Sequence, residues 1–202
     1  MRLIIASFMS RNWYKIREMN VFIFHGTGAS PESNWFPWLK KELESNGVDV
    51  LVPKFPTPKG QSLDKWLRVF EPFEKKVTAE SIFVGHSMGP AFIWRLLEKG
   101  VGPIRAAILV SPFDALLNLP DFDPQVKSFV DHPFDWEKIR VNCQNFVVYA
   151  GGDDPYIPRE QLERVVKNLK VKLNFIKGGK HLNAEAGYLE FPQILKEVWQ
   201  NR

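Results

Sequence analysis

Three features of this 202-residue chain have the residue types and spacing for covalent acyl chemistry: a serine between glycines, histidines beside strand-length apolar runs, and a pair of adjacent aspartates. Gly85-His86-Ser87-Met88-Gly89 has the G-x-S-x-G form, with the apolar run 81–84 before it and a helix expected from Pro90 to Glu98 after it. Strand, sharp turn and helix in that order hold a serine hydroxyl out on a strained backbone, and the flanking glycines let strand and helix pass closely. Pro90 suits the first helical turn, where its missing N–H costs no hydrogen bond. The short pattern alone also occurs in ordinary tight turns, so the strand and helix around it carry the reading.

A serine hydroxyl is a weak nucleophile at neutral pH and needs a base within reach and a group that orients the base. Four histidines compete. The ring of His86 is expected to point away from Ser87 into the packing. His25 sits in a loop whose backbone is of more use than its ring, and His132, beside Pro133, reads as a lid or packing residue. His181, in Lys177-Gly178-Gly179-Lys180-His181 after the last apolar run, is the expected base, and the order Ser…Asp…His along the chain agrees with it.

The acid is expected within residues 150–158, where Asp153 and Asp154 are adjacent. Gly151 three positions before and Ile157 three after favour Asp154, leaving Asp153 to cap the helix opened by Pro158 or to support the turn. Asp114, Asp121, Asp123 and Asp131 read as solvated loop residues. The backbone amides of Met88, at the start of a helix, and of Thr27, in His25-Gly26-Thr27-Gly28, are the expected oxyanion donors. Gly26-x-Gly28 is not a dinucleotide-binding fingerprint, because Pro31 stands where the third glycine belongs.

Positioning these residues requires a sheet. Strands are expected at 21–24, 48–52, 81–84, 104–110, 145–149 and 172–176. Helices are expected between them: 35–45 capped by Ser33 or Asn34, one capped by Ser62, then 90–98, 134–140, 158–169 and a closing helix over 188–200. Strand alternating with helix is the pattern of an α/β protein, a doubly wound, mostly parallel sheet of about six strands with helices on both faces. Ligands of such sheets bind beyond the carboxyl ends of the strands, where Ser87, His25 to Gly28, Asp153, Asp154 and His181 all fall. Residues 111–133 have no convincing period and are expected to cover the site. Trp35, Phe55, Trp66 and Phe113 lie in or near loops at that edge and are expected to line an apolar acyl pocket, core packing being the alternative.

Composition narrows the function classes. Hydrophobic residues at 45% and charged residues at 25% are those of a soluble globular protein. The net charge of +4 is spread among 23 acidic residues without a basic stripe, which argues against nucleic acid as a partner. No apolar run is long enough to span a membrane. No cofactor motif or metal-ligand spacing is found, and the substrate expected is a small acyl compound. Cys143 is the only cysteine, a structural thiol that points to a reducing, cytoplasmic setting. Residues 1–18 are expected to be an extension preceding a single domain over 19–202. Their short apolar stretch lacks a small-x-small cleavage site and is followed by Arg11, Lys15 and Arg17, unlike a secretion signal.

Taken together, the residues resemble the α/β-hydrolase superfamily, and more narrowly the small lidless serine hydrolases of the retinoblastoma-binding type and their bacterial relatives. The resemblance runs through His25–Gly28 with Trp35 and Trp38-Leu39, Gly85–Gly89, Trp136-Glu137-Lys138-Ile139, Gly151–Pro158 and His181. It implies an α/β-hydrolase fold without a large lid domain. It also implies a triad of Ser87, Asp154 and His181, and hydrolysis of esters or small amides through an acyl-enzyme. Lys180 departs from the glycine that commonly precedes the histidine. The Leu-x-Cys-x-Glu peptide associated with retinoblastoma binding does not occur, so no protein partner is carried over. The alternative from another class is a hydrolase-fold binding module without useful turnover.

Overall fold

A computed structural model of the chain describes residues 19–202, so the expected N-terminal extension over 1–18 lies outside the described residues. The apolar runs become six strands: β1 (Asn20–Phe24), β2 (Asp49–Leu51), β3 (Ile82–His86), β4 (Ile104–Val110), β5 (Cys143–Gly151) and β6 (Leu173–Ile176). They form one sheet in the order β2-β1-β3-β4-β5-β6, every neighbouring pair parallel. Parallel strands need crossovers, and these run through α1 (Phe36–Glu44), α2 (Leu63–Glu74), α3 (Met88–Glu98), α4 (Asp123–Val130) with α5 (Trp136–Val141), and α6 (Arg159–Leu169); α7 (Pro192–Gln200) follows β6.

Side chains alternate across the strands. Val21 and Ile23 of β1 pack with Phe36, Leu39 and Leu43 of α1 and Ile194 and Val198 of α7. Phe22 and Phe24 face the other way, onto a larger cluster that includes Phe70 of α2, Phe92 of α3 and Phe129 of α4. Both faces are therefore covered, which is why β1 and β3 are buried throughout and read as unbroken apolar runs. The winding reverses between β1 and β3, since the chain passes from β1 outward to β2 and then returns to the opposite side of β1. The loops after these two strands open the crevice that such a reversal creates.

Three local expectations are corrected. Neither Ser33 nor Asn34 caps α1, which starts after Trp35 with a proline in its first turn. Asn34, at φ +54°, instead accepts the Ala184 N–H through Oδ1 at 2.9 Å, and Ser33 Oγ accepts the Ser30 N–H. Residues 111–133 contain α4, whose buried Val126, Phe129 and Val130 have helical spacing too brief to stand out in the sequence. The closing helix starts at Pro192, the preceding residues forming a single tight turn over Ala184–Ala186. Ser62 caps α2 as expected, accepting the Lys65 N–H.

The four aromatics expected beside substrate are core residues. Trp35, Phe55, Trp66 and Phe113 are each 3% exposed or less. Trp66 stacks on Phe55 at 4.4 Å between ring centroids and meets Phe92 edge-on, while its indole N–H donates to the Pro56 carbonyl. With helices on both faces, the space between sheet and helix takes the large rings. Trp66→Ala is expected to lower stability by about 3–5 kcal/mol, read from urea unfolding. A change within error would contradict this placement.

Candidate active site

Ser87 stands between the last residue of β3 and the first of α3 at φ +59°, ψ −105°, a backbone that side chains rarely adopt and that here turns the chain between strand and helix. Its N–H donates to the Val110 carbonyl at 2.9 Å, tying the turn to the end of β4. The two flanking glycines are required by contact. A Cβ on Gly89 would stand 2.4 Å from the Phe24 carbonyl oxygen, and one on Gly85 would stand 2.8 Å from the Pro90 nitrogen. Met88 opens α3, so its amide is among those a helix leaves without an internal acceptor.

The loop after β1 is fixed by His25. The Phe55 N–H donates to His25 Nε2 at 3.1 Å, so the ring proton sits on Nδ1, which donates to the Gly26 carbonyl at 2.9 Å. Burial holds the pKa of this ring below its ordinary value despite the bond to Gly26, and the neutral form persists. The ring thus anchors a loop whose backbone is expected to be of more use than its ring. Thr27 accepts the Gln61 side-chain amide through Oγ1, and the Gly28 N–H donates to Thr57 Oγ1.

His181 and Asp154 meet at the ends of β6 and β5. His181 Nδ1 and Asp154 Oδ2 are 2.8 Å apart, with the carboxylate side chain 1% exposed and the imidazole 11%. Asp154 Oδ1 also accepts the N–H groups of Tyr156 and Ile157. Burial alone would raise the carboxyl pKa, but the bonds from His181 and the two amides outweigh it and hold the group below the usual carboxylate range. An ionised carboxylate only accepts, so Nδ1 carries a proton, and in the neutral ring Nε2 is the nitrogen left to accept one.

The approach of the two loops has its own supports. A Cβ on Gly151 would lie 2.0 Å from the Lys180 carbonyl oxygen, so only glycine permits the contact. Asp153 Oδ1 accepts the Lys180 N–H at 2.9 Å; it supports the histidine loop and does not cap α6, which has no side-chain cap. From behind, His86 Nε2 lies 2.9 Å from the His181 carbonyl; since that oxygen can only accept, the ring donates. Ser111 Oγ donates to the same oxygen at 3.4 Å, and the Trp35 indole donates to the Leu182 carbonyl. His86 points into the packing as expected, but it is also a support for His181.

Ser87, Thr27 and His181 line one cavity of about 600 Å³ beyond the carboxyl ends of the strands. Among the described residues the Ser87 hydroxyl makes no hydrogen bond. Trp35, Phe55, Trp66 and Phe113 do not line this cavity; Leu117, Phe122, Tyr156, Ile157 and Leu189 provide its apolar surface. Residues 111–133 therefore do reach the site, through Leu117 and Phe122. Within that stretch Asp114 is not solvated, being 6% exposed and paired with Arg164, and Asp123 accepts the Leu117 N–H. His132 is exposed, and its carbonyl accepts a bond from Arg95. A protonated Nδ1, a free Nε2 and a hydroxyl on the same cavity are the components of general-base activation of an alcohol.

A family model described as Serine hydrolase matches residues 21–200. The chain is 30% identical over 179 residues to the putative hydrolase YdeN of Bacillus subtilis, covering 86% of this chain and 91% of that protein. It is 29% identical over 176 residues to the serine hydrolase RBBP9 of Rattus norvegicus, with the same two coverages. The crystal structure of the B. subtilis ydeN gene product superposes with a TM-score of 0.84 at 27% identity, over 91% of this chain and 98% of that one.

The buried supports carry a pH signature. Burial, with His181 beside it, lowers the pKa of His86 to about 3. Above pH 6.5 the ring is neutral folded or unfolded, and its contribution to stability is fully present. As pH falls from 6.5 towards 3 the unfolded chain takes up a proton that the folded chain refuses, and stability drops. The urea midpoint is expected to fall progressively below pH 6.5, with a shallower fall in His86→Gln; equal slopes in the two proteins would contradict the assignment.

Proposed function

Because the chain belongs to the serine hydrolase family, we propose that it cleaves small carboxylic esters through an acyl-enzyme, with Ser87 as nucleophile, His181 as base and Asp154 as the residue that orients the base. The observation carrying this reading is the 2.8 Å bond from His181 to the buried Asp154 carboxylate, on a ring that shares its cavity with Ser87.

In this mechanism His181 Nε2 takes the Ser87 proton as Oγ bonds to the acyl carbon, and the carbonyl π pair moves onto oxygen. The Thr27 and Met88 amides hold that oxyanion. The pair then returns to re-form the carbonyl, the bond to the leaving oxygen breaks, and His181 hands the proton to the departing alcohol. Water repeats the sequence on the acyl-serine, releasing the acid and restoring Ser87. Asp154 stays ionised throughout and stabilises the imidazolium. Amides follow the same path with a poorer leaving group. The single cysteine, which has no partner for an internal disulfide, is in keeping with a reducing, cytoplasmic setting.

Ser87→Ala is expected to abolish turnover of short aryl esters while the circular dichroism spectrum is retained. Asp154→Asn is expected to lower kcat on the order of 10⁴-fold, and Asp153→Ala about tenfold or less, since it loses one bond from the Lys180 backbone amide. Wild-type rates in folded Ser87→Ala, or a larger loss at Asp153 than at Asp154, would refute the assignment.

A further inference from the structure

The cavity has two unlike sectors. One is apolar, built from Leu117 and Phe122 in the segment after β4 and Tyr156 and Ile157 after β5. The Phe122 and Tyr156 rings stack at 6.3 Å between centroids, and Tyr156 meets the His181 ring edge-on at 5.0 Å. The apolar sector therefore reaches directly to the candidate base. The other sector is polar, formed by Glu32, Ser33 and Asn34 after β1 and Asn183 and Glu185 after β6. The Asn34 bond to the Ala184 amide joins its two segments.

The charges in this cavity have one sign. Glu32 and Glu185 are exposed in it, neither is ion-paired among the described residues, and no described lysine or arginine side chain lines it. An anion inside the cavity meets two carboxylates and no lining cation, whereas a cation is attracted by both, Lys40 and Lys41 bordering a neighbouring hollow that Glu32 also lines.

We propose that the preferred substrate is an amphiphilic ester with a hydrocarbon portion, held against Phe122 and Tyr156, and a positively charged end of the alkylammonium type, held by Glu32 and Glu185. The inference rests on the esterase reading above and adds the substrate class. A cavity of about 600 Å³ suits a compound of that kind, being in the size range of small-molecule sites. Phe122 and the two glutamates act here as specificity-determining residues.

The test uses two matched ester series with the full chain. In the first the leaving group is para-nitrophenol and the acyl group is pentanoyl, γ-trimethylammoniobutanoyl or glutaryl. In the second the acyl group is butanoyl and the leaving thiol is butanethiol, thiocholine or mercaptopropionate. In at least one series kcat/KM is expected to favour cation over anion by about tenfold at 0.01 M salt, where the screening length is about 30 Å. The ratio should shrink towards one at about 1 M salt, where that length is about 3 Å. It should also approach one in the E32Q/E185Q double variant. A flat charge profile in both series, an anion preference, or a cation preference that survives E32Q/E185Q would overturn the charge assignment. Phe122→Ala is expected to flatten the rise in kcat/KM from acetyl to hexanoyl esters; an unchanged rise would overturn the apolar assignment. Turnover of the neutral esters without charge selection defeats this inference alone, whereas absence of turnover of every ester defeats it together with the esterase reading.

Discussion

The hydrogen bond between a carboxylate 1% exposed and an imidazole 11% exposed is the constraint on which the carboxyl edge of this sheet depends. A charge withdrawn from water costs several kcal/mol unless it is fully bonded. Asp154 meets that demand with three donors: one from His181 and two from the amides of its own turn. Removing one partner would leave a buried charge uncompensated, so the loops after β5 and β6 have to stay in register. Gly151 allows the contact and Asp153 reinforces it, while His86, Ser111 and Trp35 hold the histidine segment from the core side. The backbone around His181 is thus secured before substrate arrives, which is the form of preorganisation that electrostatic catalysis calls for.

The sheet order explains why one edge gathers these groups. All six strands run parallel, so every segment after a strand emerges at the same end. The reversal between β1 and β3 separates their helices onto opposite faces and leaves the Thr27 loop and Ser87 beside the gap. The closeness of these two loops is itself tuned: a Cβ on Gly26 would stand 2.7 Å from that of Ser87. Strain at Ser87, at φ +59°, is held in place by burial of α3 and by the bond to Val110.

Much of this was legible in the residues because buried parallel strands are unbroken apolar runs, and their order fixes which loops share an edge. The strand at 104–110 has the expected bounds, and Asp154, chosen over Asp153 from its neighbours, is the aspartate that meets His181. What was not legible depends on partners distant in sequence. His86 matters through a carbonyl 95 residues away, and His25 through an amide 30 residues away; no local period encodes either. Trp35, Phe55, Trp66 and Phe113 are expected at the catalytic edge because they lie in or near loops there, yet Trp66 stands on the buried face of α2 and all four rings turn inward against a covered sheet. Of the residues that do form the apolar sector, Leu117 and Phe122 lie in a proline-rich stretch whose helix has one short buried face.

The central claim is that Ser87 is a nucleophile activated by the His181–Asp154 pair. Intact-protein mass spectrometry after treatment with a fluorophosphonate, followed by peptide mapping, addresses it without knowledge of the substrate. The expected result is a single phosphonyl adduct on Ser87, formed rapidly in the wild type and far more slowly in His181→Ala. Folded protein that takes no adduct, takes it on another side chain, or reacts equally fast without His181 would contradict the claim.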